Sequence, residues 1–117
     1  MVFEHLQQTA ILRAIGDMQL EEREKPTGVN MSFNFFPERL PADLRTTPTA
    51  GLRKIYEAVA AIVYPETGAK AAIEWTLEMG TMQLDLKFSE DHAEAARDAW
   101  PQVKKLIGNI QTQHLRN

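Results

Sequence analysis

Glu74 and Asp85 are the residues of this chain whose types and positions come closest to a chemical site. They fall at matching places in two alternating segments, and paired carboxylates can bind a divalent cation or share a proton. Lys70 and Lys87 lie close enough along the same segments to neutralise them. An open sheet face has no wall to exclude water, so an ordinary solvated face accounts for the pair. A second cluster begins at Thr46, Thr47, Pro48 and Thr49 and continues to Arg53 and Lys54. It sets hydroxyls, free backbone N–H groups and two cations at a helix start, a combination that favours anions such as phosphate or carboxylate. Thr49, Arg53 and Lys54 are the candidate anion ligands. The glycine spacing and the Lys-Ser/Thr pair of a P-loop are missing, and Thr and Pro at a helix start are also routine caps.

Nothing else converges. His5, His92 and His114 are scattered without the three- or four-residue spacing of a metal site, so no metal is expected. Ser32 and Ser89 are the only serines, one in a strand pattern and one a helix cap, which leaves a serine nucleophile little to work with. The chain has no cysteine, excluding disulfides, thiolate catalysis and Cys-ligated zinc or iron–sulfur centres. The expectation is a protein that is not an enzyme and carries no cofactor.

The elements that position these residues are legible from periodicity. From Lys70 to Phe88 the sequence describes a β-hairpin with its register. Ala71, Ile73, Trp75 and Leu77 alternate with polar residues, as do Met82, Leu84, Leu86 and Phe88. A two-residue turn at Met79 and Gly80, with Gly80 at positive φ, sets Leu77 opposite Met82, Trp75 opposite Leu84 and Ile73 opposite Leu86. A one-residue slip would move one strand's apolar set into water, so the register is strongly specified.

Residues 2 to about 22 space Val2, Phe3, Leu6, Ala10, Ile11, Ala14, Ile15 and Met18 by threes and fours, predicting an amphipathic helix with a charged end over Glu21 to Lys25. Pro26, Thr27 and Gly28 stop it. Val29, Met31, Phe33 and Phe35 alternate with Asn30, Ser32 and Asn34 and predict the first strand. Residues 37–49, with three prolines, read as a loop holding a short helical turn after Pro41. A helix runs from Pro48 to Tyr64, where Pro65 ends it. A last helix opens after Ser89 and kinks near Arg97 or restarts there because of Pro101. The predicted order is α-β-α-β-β-α. The predicted fold is α+β, a single domain over 1–117 with a three-stranded, mostly antiparallel sheet. The last strand lies in the middle, and the helices pack on one face.

Composition bounds the function further. The chain is 117 residues long, with 44% hydrophobic and 25% charged residues, as in an ordinary globular domain. Thirteen basic against sixteen acidic residues give a formal charge of −3, which argues against a dedicated nucleic-acid binder. A partial basic patch at Arg39, Arg45, Arg53 and Lys54 is the one feature pointing the other way. There is no basic n-region before an apolar stretch and no apolar run near the roughly 20 residues of a membrane span. The expected compartment is the cytoplasm, with no membrane partner.

The stretch from Ile73 through Leu106, a hairpin and then an amphipathic helix with Ala99, Trp100 and Pro101, resembles the C-terminal substrate-switching domain of flagellar hook-length control proteins. It spans less than a third of the 117 residues. The helix from Pro48 to Tyr64 interrupts the place of that family's leucine- and proline-rich segment, and hairpin plus helix is a common unit. No identification is drawn from it.

Apolar residues remain that one small core does not obviously cover. Phe36 falls on the polar face of its strand, the first helix has a wide apolar arc including Val2, Leu12 and Leu20, and the sheet has two edges. These residues, with Arg39 and Arg45 of the neighbouring loop, are the candidate partner contacts. The expected function is a protein–protein interaction domain, an adaptor, inhibitor or immunity-type protein that self-associates. The alternative is a small-molecule or anion-binding domain, with an enzyme among its forms, at the helix start near Thr49.

Overall fold

The computed structural model describes residues 2–46 and 48–113, with side chains described over 7–44 and 51–113. Its elements in order are α1 (Val2–Arg13), β1 (Ile15–Glu24), β2 (Thr27–Phe35), a 3-10 turn (Pro37–Arg39), α2 (Ala42–Thr46), α3 (Pro48–Thr67), β3 (Ala72–Glu78), β4 (Thr81–Ser89) and α4 (Glu90–Gln113). The four strands form one sheet in the order β1-β2-β4-β3, with every neighbouring pair antiparallel.

The expected α+β class holds, but the sheet has four strands rather than three and the element order differs. The predicted first helix is in fact a helix and a strand. It ends at Arg13, the Ala14 amide closes a turn on the Ile11 carbonyl at 3.0 Å, and β1 begins at Ile15. In β1, Met18 and Leu20 alternate with Asp17, Gln19 and Glu21 and pair with Phe33 and Met31 of β2. Helical spacing and alternation coexist in this segment, and tertiary pairing decides between them. Gly16 marks the switch: a Cβ there would stand 2.3 Å from the Phe36 ring.

Two further boundaries differ. Pro65 does not end α3, which continues to Thr67; Gly68, with φ 68°, ends it and donates its amide to the Tyr64 carbonyl at 2.8 Å. Pro101 does not restart α4, which is assigned as one helix through it with the proline on the exposed side. The short helical turn expected after Pro41 is α2.

The β3–β4 register is the one the alternation requires: Ile73 opposite Leu86, Glu74 opposite Asp85, Trp75 opposite Leu84 and Leu77 opposite Met82. Met79 and Gly80 both have positive φ, 49° and 79°, as a type I′ turn demands.

The core lies on the sheet face bearing Val29, Met31, Phe33, Leu84, Leu86 and Phe88, all fully buried. α4 covers β2 and β4 directly, and Trp100 meets Phe33 edge to face with ring centroids 6.1 Å apart. α3 packs on α4 and α1. The helices thus cover the two central strands well and the edges less: in β1 only Ile15 is buried, and β3 keeps Ile73 44% and Leu77 51% exposed.

Candidate functional site

Among the described residues, those singled out from the sequence do not assemble into one site. Glu74 and Asp85 are opposite each other, as expected, but their carboxylates turn apart. Glu74 takes the Lys87 ammonium at 2.8 Å, while Asp85 is buried and accepts hydrogen bonds from the Ser32 hydroxyl and from Gln83 Nε2 at 3.0 Å. Among the described residues no group of three or more metal-ligating side chains forms. At the start of α3 the Arg53 guanidinium pairs with Glu57 one turn along at 3.1 Å, which directs its charge away from the helix N-terminus. Lys54 borders a shallow groove between α1 and α3 with Gln7, Gln8 and Glu57. The Thr49 side chain lies outside the described residues.

The expected partner contacts fare unevenly. Leu12 is 1% exposed and belongs to the core, so it cannot be a contact surface. Leu20 is half-buried against that core opposite Met31. Phe36 is 40% exposed, yet one side of its ring lies on Gly16 and the Arg39 guanidinium stacks on it at 4.4 Å. Much of its surplus surface is therefore used within the chain. The side chains of Val2 and Arg45 lie outside the described residues.

Among the described residues, the other exposed large apolar side chains lie along β3 and its turn. Ile73, Trp75 and Leu77 share one face of the strand; Trp75 is half-buried against the core and the other two are exposed. Met79, at the hairpin tip, is completely exposed. Between β3 and α3 runs a groove of about 460 Å³ lined by Leu52, Arg53, Tyr56, Glu57, Ile73 and Trp75. Its far end is held by a small polar cluster. The Tyr56 and Tyr64 hydroxyls are 2.9 Å apart, and the Ala71 amide donates to the Tyr64 hydroxyl at 3.4 Å. Burial, and then the hydrogen bond with Tyr56, push the Tyr64 phenol up to about 12. The cluster ties the end of α3 to the approach of β3 and so fixes the walls of the groove.

The two edges of the sheet are unlike. β1 carries a register irregularity between Ile15 and Asp17 and the exposed charges of Asp17, Glu21 and Glu24. Bulges and charge are what keep an edge from pairing with another chain. β3 reads Ala-Ile-Glu-Trp-Thr-Leu-Glu: it carries two exposed carboxylates, one of them, Glu74, paired with Lys87, but no lysine, proline or bulge. Sequence reasoning placed Ile73, Trp75 and Leu77 on the core face and so missed them as surface. The available signal was Met79, a bulky apolar residue at a turn position that Asn, Asp or Gly ordinarily occupies.

The architecture defines an α+β domain with a fully antiparallel four-stranded sheet. No protein family, curated protein or solved structure matches this chain. No helix among the described residues is long and apolar enough to cross a membrane.

Proposed function

We propose that this chain is a non-enzymatic protein–protein interaction domain, of the adaptor, inhibitor or immunity type, whose contact surface is the β3 edge with the α3–β3 groove. The observation that carries the reading is the edge itself, an unbulged strand with Ile73 and Leu77 exposed beside a mostly apolar groove. Exposed edges template strand addition: main-chain hydrogen bonds supply affinity, and pockets for alternate side chains supply specificity. Here the alternate side chains are Ile73, Trp75 and Leu77. The anion-site alternative draws less support, because the Glu57 carboxylate, 3.1 Å from the Arg53 guanidinium, offsets its charge beside the helix start.

The test compares capture by the wild-type chain and by the Ile73→Lys, Leu77→Lys double variant in extracts of the source cells. Both side chains are exposed, so the double variant should keep its fold, checked by circular dichroism. A partner retained by wild type and lost from the double variant supports the reading. Identical capture by both chains, or none by either together with no self-association, removes it.

A further inference from the structure

We infer that the occupant of the β3 edge is a second copy of this chain, joined by antiparallel β3–β3 pairing about a two-fold axis through Trp75. This rests on the interaction reading above and names its partner. An isologous pair needs a surface complementary to itself, and β3 meets that condition over its whole length at one register. With the axis at Trp75, Ile73 lies opposite Leu77 of the second copy, Glu74 opposite Thr76, Ala72 opposite Glu78, and Trp75 opposite its own copy. All seven residues of the strand are then paired. The large apolar residues Ile73, Trp75 and Leu77 meet only one another, and no carboxylate meets a carboxylate directly across the strands.

The neighbouring registers fail on charge. An axis at Glu74 opposes that residue to its own copy, and an axis at Thr76 opposes Glu74 to Glu78. Like charges directly across a ladder are destabilising. At the Trp75 register Glu74 keeps its Lys87 partner, which comes from β4 on the other side of the strand.

Two further observations converge on this edge. Met79 holds a positive φ of 49° while fully exposed, an arrangement with no return inside one chain. In the paired register it lies across from Ala71 of the second copy, where its side chain gains a neighbour. The opposite edge, β1, is bulged and charged, so the continuous sheet stops at two copies instead of growing. A seven-residue strand is only roughly 24 Å long, whereas a stable interface needs about 800 Å² from each partner. The α3 side of the groove must therefore contribute. Leu52 and Tyr56 border the groove beside Ile73 and Trp75, and the axis brings the α3 helices of both copies to the same side of the joined sheet.

The experiment has two arms. Solution mass of the purified chain is measured by light scattering across a dilution series, for wild type and for Leu77→Lys and Ile73→Lys singly. The expected result is a dimer mass for wild type that halves on dilution, and a monomer mass for both folded variants at every concentration. A wild-type monomer throughout, or a dimer that survives both substitutions, overturns the inference. Because the chain has no cysteine, Glu74→Cys and Thr76→Cys chains report the register directly. Opposed residues of an antiparallel pair stand within disulfide reach, so an equal mixture should cross-link under oxidation far more than either variant alone. No enrichment in the mixture overturns the Trp75 register. A wild-type monomer whose capture of another protein is lost in the double variant separates the two claims: this inference then fails and the interaction reading stands.

Discussion

Met79 and Tyr64 are the residues whose local physics is most exposed to test. Met79 occupies the left-handed region at φ 49°, which costs a methionine about 1 kcal/mol relative to Gly, which has no Cβ, or Asn, whose short polar side chain hydrogen-bonds locally. In a Leu77→Lys background, where self-association does not contribute, Met79→Asn is expected to raise unfolding stability by about 1 kcal/mol in urea titration. A loss of stability would mean that the Met79 side chain packs within its own chain. Tyr64 gives a pH dependence. An unfolded tyrosine titrates near 10, while burial and then the Tyr56 hydrogen bond hold the folded phenol protonated up to about 12. Between those values the folded state binds more protons, so stability is intact below pH 10 and falls as pH rises through the window. Tyr64→Phe should flatten that fall, read as a smaller decline in urea midpoint from about pH 9 to about pH 11.5. Equal slopes would mean that the hydroxyl is solvated in the folded chain.

At the scale of elements, α1 and β1 decide the most. Leu12, at 1% exposure, sits where α1 meets the core. Leu12→Ala is expected to cost about 2–5 kcal/mol in denaturant unfolding, the range for a buried leucine truncated to a cavity. Leu12→Asp should unfold the chain outright, since it would put a carboxylate at a position only 1% exposed within the apolar core. A folded Leu12→Asp protein would return α1 to the list of contact surfaces. The hairpin and its register were legible because both strands alternate strictly. β1 was not, because Ile11, Ala14, Ile15 and Met18 also fit a helical stripe. Gly16 was the discriminating residue, as a glycine inside a helix costs roughly 1 kcal/mol. Here it admits the Phe36 ring. Glu22 follows the same logic. In a helix it would end a solvated charge run, but in β1 it reaches α4, where Arg97 grips it with two hydrogen bonds of 2.7 and 2.8 Å. Those hydrogen bonds lower the pKa of the Glu22 carboxyl.

For the whole molecule, the placement of the helices determines what is left to bind. α4 lies over β2 and β4, α3 leans on α4 and α1, and β3 is left without a lid of its own. If the β3 edge joins two copies, folding and association are linked by mass action. The thermal midpoint of wild type should then rise between micromolar and hundred-micromolar chain, while that of Leu77→Lys should not move. Differential scanning calorimetry at the two concentrations checks this, and parallel behaviour of the two proteins would count against the paired sheet.

The sequence alone determined the elements whose physics is local: the β3–β4 hairpin and its register, the strand from Val29 to Phe35, the helices α3 and α4, and the lack of any thiol chemistry. Alternation, turn residues and composition are properties of neighbours along the chain. Only the tertiary structure decided that residues 15–24 pair as an edge strand, that Leu12 is core, and that Ile73 and Leu77 face outward. Periodicity says which face of a strand is apolar, but whether a helix reaches far enough to cover that face depends on how the helices pack on one another.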